Sequence, residues 1–236
     1  MEIKSDKPQP LQTLFAEVAP TYERVNRALT FGLDVKWRRK AARIAAEGGG
    51  SSWMDVCSGT GETAANLRRL AAPSTLVVSL DFCPPMLARA VSKPSGNAID
   101  FVLSDVKALP FADSSLDLIT ISFATRNINL SREVLTRTFA EFRRVLRPGG
   151  RFVNVETSQP PSRIVRAFFH AYIRLAVKRV GTLISGSRAG YAYLGSTIPK
   201  FYPAEELAAI MREAGFAEVR VKRLMLGAAA IHLARV

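Results

Sequence analysis

Short apolar runs alternate along the whole chain with segments of helical periodicity, and this alternation constrains the fold more than any other feature of the sequence. Strands are expected over residues 52–57, 75–81, 99–103, 116–122, 151–156, 217–223 and 228–235, with helices near 61–71, 84–92, 132–147 and 203–214 between them. Strand and helix in strict turn require parallel strands joined by crossovers, with helices on both faces of one sheet. The third of these helices, 132–147, is expected to run into the stop Arg147-Pro148-Gly149-Gly150, where proline cannot continue a helix and glycine permits the turn. The last helix is read as starting with Pro203 in its first turn and stopping at Gly215. Only the last two strands lack room for a helix between them, so they are expected to pair as an antiparallel hairpin through Leu226-Gly227. The resulting expectation is a mostly parallel seven-stranded sheet with one antiparallel strand near its end.

Two segments stand outside the alternation. Residues 8–46 read as two or three short helices, with an apolar stripe around Ala28, Leu29, Phe31 and Leu33 and a basic run from Lys36 to Lys40. Residues 157–202 interrupt the pattern between the fifth strand and the last helix. In open α/β sheets ligands lie beyond the carboxyl ends of the strands, so both segments are candidates to cover a site, although plain packing on the sheet is the alternative. With 236 residues, 48% of them hydrophobic, the chain is expected to form a single domain, 1–236, whose N-terminal helical segment is 1–46 and whose inserted cover is 157–202.

The chemistry begins at Met54-Asp55-Val56-Cys57-Ser58-Gly59-Thr60-Gly61-Glu62-Thr63, an apolar strand breaking into a glycine turn that opens a helix. The spacing from Gly59 through Gly61 to Ala64 fits a dinucleotide fingerprint. Glu62, directly after the second glycine, and Asp55 would repel a pyrophosphate there. A cationic cofactor without phosphates, S-adenosylmethionine, avoids this repulsion, and the glycines let the backbone approach it closely. Asp81 closes the second strand, where a carboxylate can accept from both ribose hydroxyls, a contact that NAD would also offer. Asp105 closes the third strand and is placed to accept from an adenine amino group, with Val106 offering a backbone contact, and Ser122 closes the fourth.

Composition narrows the setting. Cys57 and Cys83 have no paired spacing, and the opening residues lack the apolar core of a signal peptide, which makes a reducing cytoplasm the expected compartment. Two His and two Cys scattered through the chain give no metal-ligand spacing. The net charge of +13 calls for a partner. RNA is one candidate, but Ser122-Phe123-Ala124-Thr125 lacks the Asn/Asp-Pro-Pro-aromatic stretch that stacks a flipped base, which makes nucleic acid an unlikely substrate. A non-catalytic nucleotide-binding protein is a further alternative. Between Glu156 and Glu205 there is no acidic residue, and Arg163, Arg166, His170, Arg174 and Lys178 follow helical steps opposite Ile164, Phe168, Tyr172 and Leu175. The stripe in 160–188 is read either as a solvated outer face or as a surface that docks on an anionic membrane.

From about Phe15 to His232 the sequence resembles the ubiquinone/menaquinone biosynthesis C-methyltransferases, a branch of the Rossmann-like class I S-adenosylmethionine-dependent methyltransferases. The resemblance rests on Tyr22-Glu23-Arg24-Val25-Asn26 with Leu29-Thr30-Phe31-Gly32 and Trp37, on Ala108-Leu109-Pro110-Phe111 with Asp117, on Ile121-Ser122-Phe123 leading to Arg126-Asn127, and on Tyr191-Ala192-Tyr193-Leu194. It implies cofactor contacts at Thr60, Asp81, Asp105 with Val106, and Ser122, and methylation of a ring carbon in a lipophilic prenylated quinol. Met86 is a further candidate against the adenine. The chain departs from the family pattern at Glu62, at Ala124-Thr125 and across Phe169-Tyr172, Ser187-Gly190 and Ser196-Thr197. The last three changes remove acid or add base on the presumed acceptor side. Attack by ring carbon needs an electron-rich phenolate-like ring, so Arg126 is expected to stabilise the phenolate and Asn127 to position a ring oxygen. The alternative for Arg126 is a tie between its loop and a carboxylate such as Glu156. Tyr22, Tyr191 and Tyr193 are read as packing or pocket residues, and His232 as a satisfied core histidine.

Overall fold

The computed structural model describes residues 10–187 and 195–236. Three helices lead the chain: α1 (Pro10–Val18), α2 (Tyr22–Thr30) and α3 (Leu33–Ala46). The alternation then follows as β1 (Ser52–Val56), α4 (Glu62–Leu70), β2 (Leu76–Asp81), α5 (Pro84–Val91), β3 (Asp100–Leu103) and β4 (Leu116–Ser122). A short helix α6 (Thr125–Ile128) precedes α7 (Arg132–Val145) and β5 (Leu146–Thr157). The insertion forms α8 (Arg163–Tyr172), a π-helical turn (Ile173–Val177) and α9 (Lys178–Ser185). The chain ends with α10 (Ala204–Glu213), β6 (Glu218–Leu224) and β7 (Ala229–Arg235).

The seven strands form one sheet in the order β3-β2-β1-β4-β5-β7-β6. All neighbours are parallel except β7, which runs antiparallel to both β5 and β6, so the expected hairpin forms, turning through Met225–Gly227. β1 is buried along its whole length, as an apolar parallel strand flanked by β2 and β4 must be. The strand order reverses between β1 and β4, which opens a crevice at their carboxyl ends.

Two boundaries differ from the sequence reading. Helix α7 stops at Val145 because Leu146 turns extended, is 1% exposed and pairs with Leu116 on β4. Arg147-Pro148-Gly149-Gly150 is therefore an irregularity inside β5, where the register slips between Leu116 and Leu118, rather than the end of the helix. Pro203 is the N-cap of α10 and not its first residue.

One face of the sheet packs under α7 and α10 through a cluster that includes Phe139, Phe142 and Phe152, whose rings lie 5.3–6.1 Å apart. The other face packs under α3 and α4 around Trp53, Leu67 and Leu118. A third cluster joins the two extra segments: Val18 and Val25 from the N-terminal helices meet Ile173 and Val177 of the insertion and Met86 of α5. Among the described residues no helix is long and apolar enough to cross a membrane.

Candidate functional site

The carboxyl ends of β1 and β2 are tied together by one carboxylate. The chain leaves β1 through Cys57 and Gly59, both at positive φ (49° and 55°), and Gly59 N–H donates to Asp81 Oδ2 at 2.7 Å. Cys83 N–H donates to Asp81 Oδ1 at 2.9 Å. Burial pushes the Asp81 carboxyl pKa up, and these backbone donors oppose the shift by favouring the charged form. Beside this staple lies a cavity of about 300 Å³ lined by Gly59, Thr60, Asp81, Met86, Asp105 and Val106, with Ser122 and Asn127 on the β4 side. A Cβ built on Gly59 would meet no atom within 4 Å, so the turn presents bare backbone to open space. Carboxylates at two strand ends, bare backbone at a third and apolar walls from Met86 and Val106 fit a cationic adenosine derivative.

Three sequence readings change here. Asp55 does not line the cavity. It is 1% exposed beneath it, accepts from Thr120 Oγ1 at 2.6 Å, and burial raises its pKa to about 7. Gly61 does not line the cavity either: its φ of 75° opens α4, and a Cβ there would sit 2.8 Å from Ala90 Cβ, so this glycine lets α4 and α5 approach. Glu62 lines the cavity, but its charge is matched, with Arg27 Nη2 2.8 Å from Oε1 and Arg38 Nε 3.5 Å from Oε2. The repulsion of phosphate expected from Glu62 is thereby largely offset, and the acidic character of the wall rests chiefly on Asp81, because Asp105 Oδ2 lies 3.7 Å from Lys107 Nζ.

A second, mainly apolar cavity of about 370 Å³ lies between the N-terminal helices and the insertion. Phe15, Tyr22, Arg38 and Asn127 line both cavities and so form the wall between them. Arg126 lines only the second, and its guanidinium is engaged: Nη1 donates to Glu156 Oε1 at 3.2 Å and to Thr157 Oγ1 at 3.1 Å, and Nε to Thr197 Oγ1 at 3.1 Å. Glu156 is fully buried, so this ion pair neutralises the charge expected to stabilise a phenolate. Asn127 differs, because its Oδ1 is buried and has no hydrogen-bond partner.

Behind α6 a polar relay fixes the turn that carries both residues. Thr125 Oγ1 donates to Asn154 Oδ1 at 2.6 Å, Asn154 Nδ2 lies 3.2 Å from His232 Nδ1, and His232 Nε2 lies 2.8 Å from Ala204 O. His232 is thus a satisfied core residue, its pKa lowered to about 4 by burial. His170 is also engaged, with Nε2 2.7 Å from Gln159 Oε1. Arg38 was hidden from sequence reasoning inside a basic run, yet it is 5% exposed, stacks 4.9 Å above the Phe123 ring and reaches Ser122 O at 3.4 Å. Only the three-dimensional path of α3 separates it from its solvated neighbours Lys36, Arg39 and Lys40. Tyr191 and Tyr193 lie outside the described residues.

Residues 1–235 match the model of the ubiE/COQ5 methyltransferase family. The chain belongs to this family. A demethylmenaquinone methyltransferase from Thermus thermophilus is 39% identical over 222 residues, 93% of this chain and 98% of that protein. A ubiquinone/menaquinone biosynthesis C-methyltransferase from Desulfotalea psychrophila is 36% identical over 94% of this chain and 88% of its own. Among solved structures, a SAM-dependent methyltransferase from Thermotoga maritima superposes with a TM-score of 0.68 at 16% identity, covering 95% of this chain and 99% of that one, which shows the shared Rossmann-like fold.

The protein is an S-adenosylmethionine-dependent methyltransferase, and the larger, mainly apolar cavity lies beside the one lined by Asp81 and Asp105. Phe31, Phe168 and Leu226 line the larger cavity yet are 80%, 74% and 75% exposed, so they form its mouth. The insertion is arranged differently from the amphipathic reading. Of the expected apolar stripe, Ile164 and Leu175 face outward and Phe168 stands exposed at the mouth, while Tyr172 lines the cavity together with Val165, Phe169, Ile173 and Val177. The π turn is one extra residue in the helical path, and it shifts the phase between α8 and α9. Arg166 and His170 are half-buried, with Arg166 Nε donating to Pro160 O at 2.8 Å, so Arg163, Arg174 and Lys178 are the exposed members of the basic stripe.

Proposed function

We propose that the enzyme methylates a ring carbon of a prenylated quinol, with a demethylmenaquinol-type ring favoured over a benzoquinol. The observation that carries this reading is the wall shared by the two cavities, with an apolar chamber on one side and donor-type groups on the other. The names of the relatives, demethylmenaquinone methyltransferase and ubiquinone/menaquinone biosynthesis C-methyltransferase, support the substrate class.

In this reading Asp81 holds the ribose hydroxyls, Asp105 and the Val106 backbone hold the adenine edge, Met86 packs on the ring, and Thr60 and Ser122 line the methionine part. When bound, S-adenosylmethionine supplies an electrophilic methyl group on a sulfonium. The chain's own contribution is alignment. The Phe15, Tyr22 and Asn127 wall orients the acceptor carbon for in-line transfer, and apolar residues exclude water from the reacting ring. Arg126, neutralised by Glu156, serves to fix the α6 turn that presents Asn127.

Incubating the protein with labelled donor and a panel of quinols, quinones, small amines and RNA tests this directly. Label on ring carbon of a quinol is expected; equal transfer to the oxidised quinone, or transfer only to oxygen, nitrogen or RNA, overturns the reading.

The acceptor is collected, in the same reading, from an anionic membrane surface. Exposed Phe31, Phe168, Met225 and Leu226 ring the mouth, and Arg163, Arg174 and Lys178 stand on the adjoining segment. Apolar side chains flanked by cations suit the interfacial region of a bilayer, each basic residue near the surface contributing roughly 1 kcal/mol. Sedimentation with phosphatidylglycerol vesicles, released by salt, is expected, and Arg174→Glu with Lys178→Glu weakens it without changing donor affinity. Equal binding to neutral vesicles, or preference for RNA, removes this part of the proposal.

A further inference from the structure

Five charged side chains touch one another in a line: Lys93, Glu23, Arg27, Glu62 and Arg38. The line joins the loop after α5, the covering helix α2, the start of α4 and the helix α3. Three of its members are cations and two are carboxylates, so it carries one positive charge in excess. Of these cations only Arg38 lines the cavity that holds Asp81 and Asp105. Arg27 makes the shorter contact to Glu62, 2.8 Å against 3.5 Å for Arg38, so the excess charge falls at the Arg38 end. Asp34, one turn back on α3, and Asp55, beneath the cavity, are buried carboxylates, and neither is ion-paired to Arg38 among the described residues. The guanidinium is held in place: it stacks 4.9 Å above the Phe123 ring, and Nη1 donates to Ser122 O at 3.4 Å. Nε is sealed off without a hydrogen bond, whereas Nη2 makes none among the described residues and stays accessible. Arg38 is only 5% exposed, and that remainder opens onto the two cavities and the shallow cleft between α3 and α4 that its side chain lines.

We propose that Arg38 binds the α-carboxylate of S-adenosylmethionine and thereby selects a donor with its amino-acid end intact. That carboxylate is the donor's one anionic group, beside a cationic sulfonium and a cationic ammonium. The strand-end carboxylates set the donor's direction along the sheet edge. Asp105 after β3 for the adenine and Asp81 at β2 for the ribose leave the amino-acid end towards β1 and β4. Two cations line this cavity, Arg38 and Lys107. Lys107 follows β3 and lies 3.7 Å from Asp105, at the adenine end. Arg38 lies at the opposite end, against Ser122 O at the close of β4 and Glu62 at the start of α4. In the sheet order β3 and β4 stand three places apart, roughly 14 Å, so one cation cannot serve both ends. A guanidinium already fixed by stacking pairs with a carboxylate at little further loss of freedom. Binding the carboxylate also balances the line of charges, three cations against three carboxylates.

This inference rests on S-adenosylmethionine occupying the cavity lined by Asp81, and it is independent of the acceptor. Calorimetry on the whole chain tests it with two pairs of ligands. S-adenosylhomocysteine is compared with 5′-methylthioadenosine, which lacks the amino-acid end, and S-adenosylmethionine with its decarboxylated form, which lacks the carboxylate alone. The wild type is expected to bind S-adenosylmethionine about 10- to 100-fold more tightly than the decarboxylated form. Arg38→Gln is expected to lose affinity for S-adenosylhomocysteine by a similar factor while binding 5′-methylthioadenosine within about twofold of the wild type, and Arg38→Lys recovers part of the loss. Normal binding of 5′-methylthioadenosine also shows that the variant is folded. If Arg38→Gln does not fold, Arg38→Lys takes its place, and the wild-type preference over the decarboxylated donor decides without any variant. Asp81→Ala separates this assignment from the placement of the donor, because both nucleosides carry the ribose and are expected to weaken together. Unchanged binding of both in that variant refutes the placement. With both weakened, equal losses for the two nucleosides in Arg38→Gln, or no wild-type preference over the decarboxylated donor, overturn the role of Arg38.

Discussion

Asp81 shows how one side chain can serve the fold and the ligand together. Both oxygens already accept backbone N–H groups, from Gly59 and Cys83, and a carboxylate oxygen can accept more than one hydrogen bond. Its loss therefore acts twice. Asp81→Ala is expected to weaken S-adenosylhomocysteine binding by about 1.5–3 kcal/mol, read by calorimetry, through removal of charge-assisted hydrogen bonds. It is also expected to cost about 1–3 kcal/mol of stability, because two backbone donors lose their acceptor. Unchanged affinity in a folded variant contradicts the ribose role; unchanged stability contradicts the staple. Cys57 and Phe123 carry strain of a different kind, at φ of 49° and 58° immediately after β1 and β4, where the chain must bend sharply away from adjacent strand ends.

At the scale of elements, the approach of α4 to α5 depends on Gly61. Its Cβ-less backbone passes Ala90 so closely that an added Cβ would lie 2.8 Å from the Ala90 methyl carbon, and its φ of 75° is itself unfavourable for any side chain. Gly61→Ala is expected to destabilise by about 2–4 kcal/mol, combining overpacking with left-handed backbone strain. Adding Ala90→Gly relieves the overpacking alone. A thermodynamic cycle measured by urea denaturation is expected to give a coupling energy of at least about 1 kcal/mol, and additivity within 0.3–0.5 kcal/mol denies the contact. The motif reading placed this glycine against a cofactor, but spacing alone does not tell a glycine that admits a ligand from one that admits a helix.

Across the whole molecule, two buried groups oppose each other in their response to acid. Burial raises the Asp55 pKa to about 7, above its value of 3.8 in the unfolded chain, so the folded state binds this proton first and gains stability as pH falls from 7 to 4. Burial lowers the His232 pKa from 6.5 to about 4, so the unfolded chain binds that proton first and stability is lost as pH falls through the same window. The two contributions are about 4 and about 3 kcal/mol and nearly cancel. Urea melts at pH 7, 5.5 and 4 are expected to show the wild type gaining up to about 4 kcal/mol on Asp55→Asn as pH falls, and losing about 3 kcal/mol relative to His232→Gln. A difference between wild type and either variant that does not change with pH contradicts the corresponding assignment.

What the sequence by itself determined is the part governed by local periodicity and short spacing. The strands, the helices between them, the closing hairpin and the strand-end residues Asp81, Asp105, Val106 and Ser122 all follow from alternation, because a parallel strand's carboxyl end lies at a fixed place in its βαβ unit. Tertiary structure alone decided which charges are free. Arg126 and Glu62 were neutralised by partners 30 residues or more away in sequence, Glu156 for one and Arg27 for the other, while Asp34 and Arg38 sat unnoticed in a helix whose exposure no periodicity revealed. Electrostatic pairing and burial depend on distances between segments remote in the chain, and a linear pattern does not carry those distances.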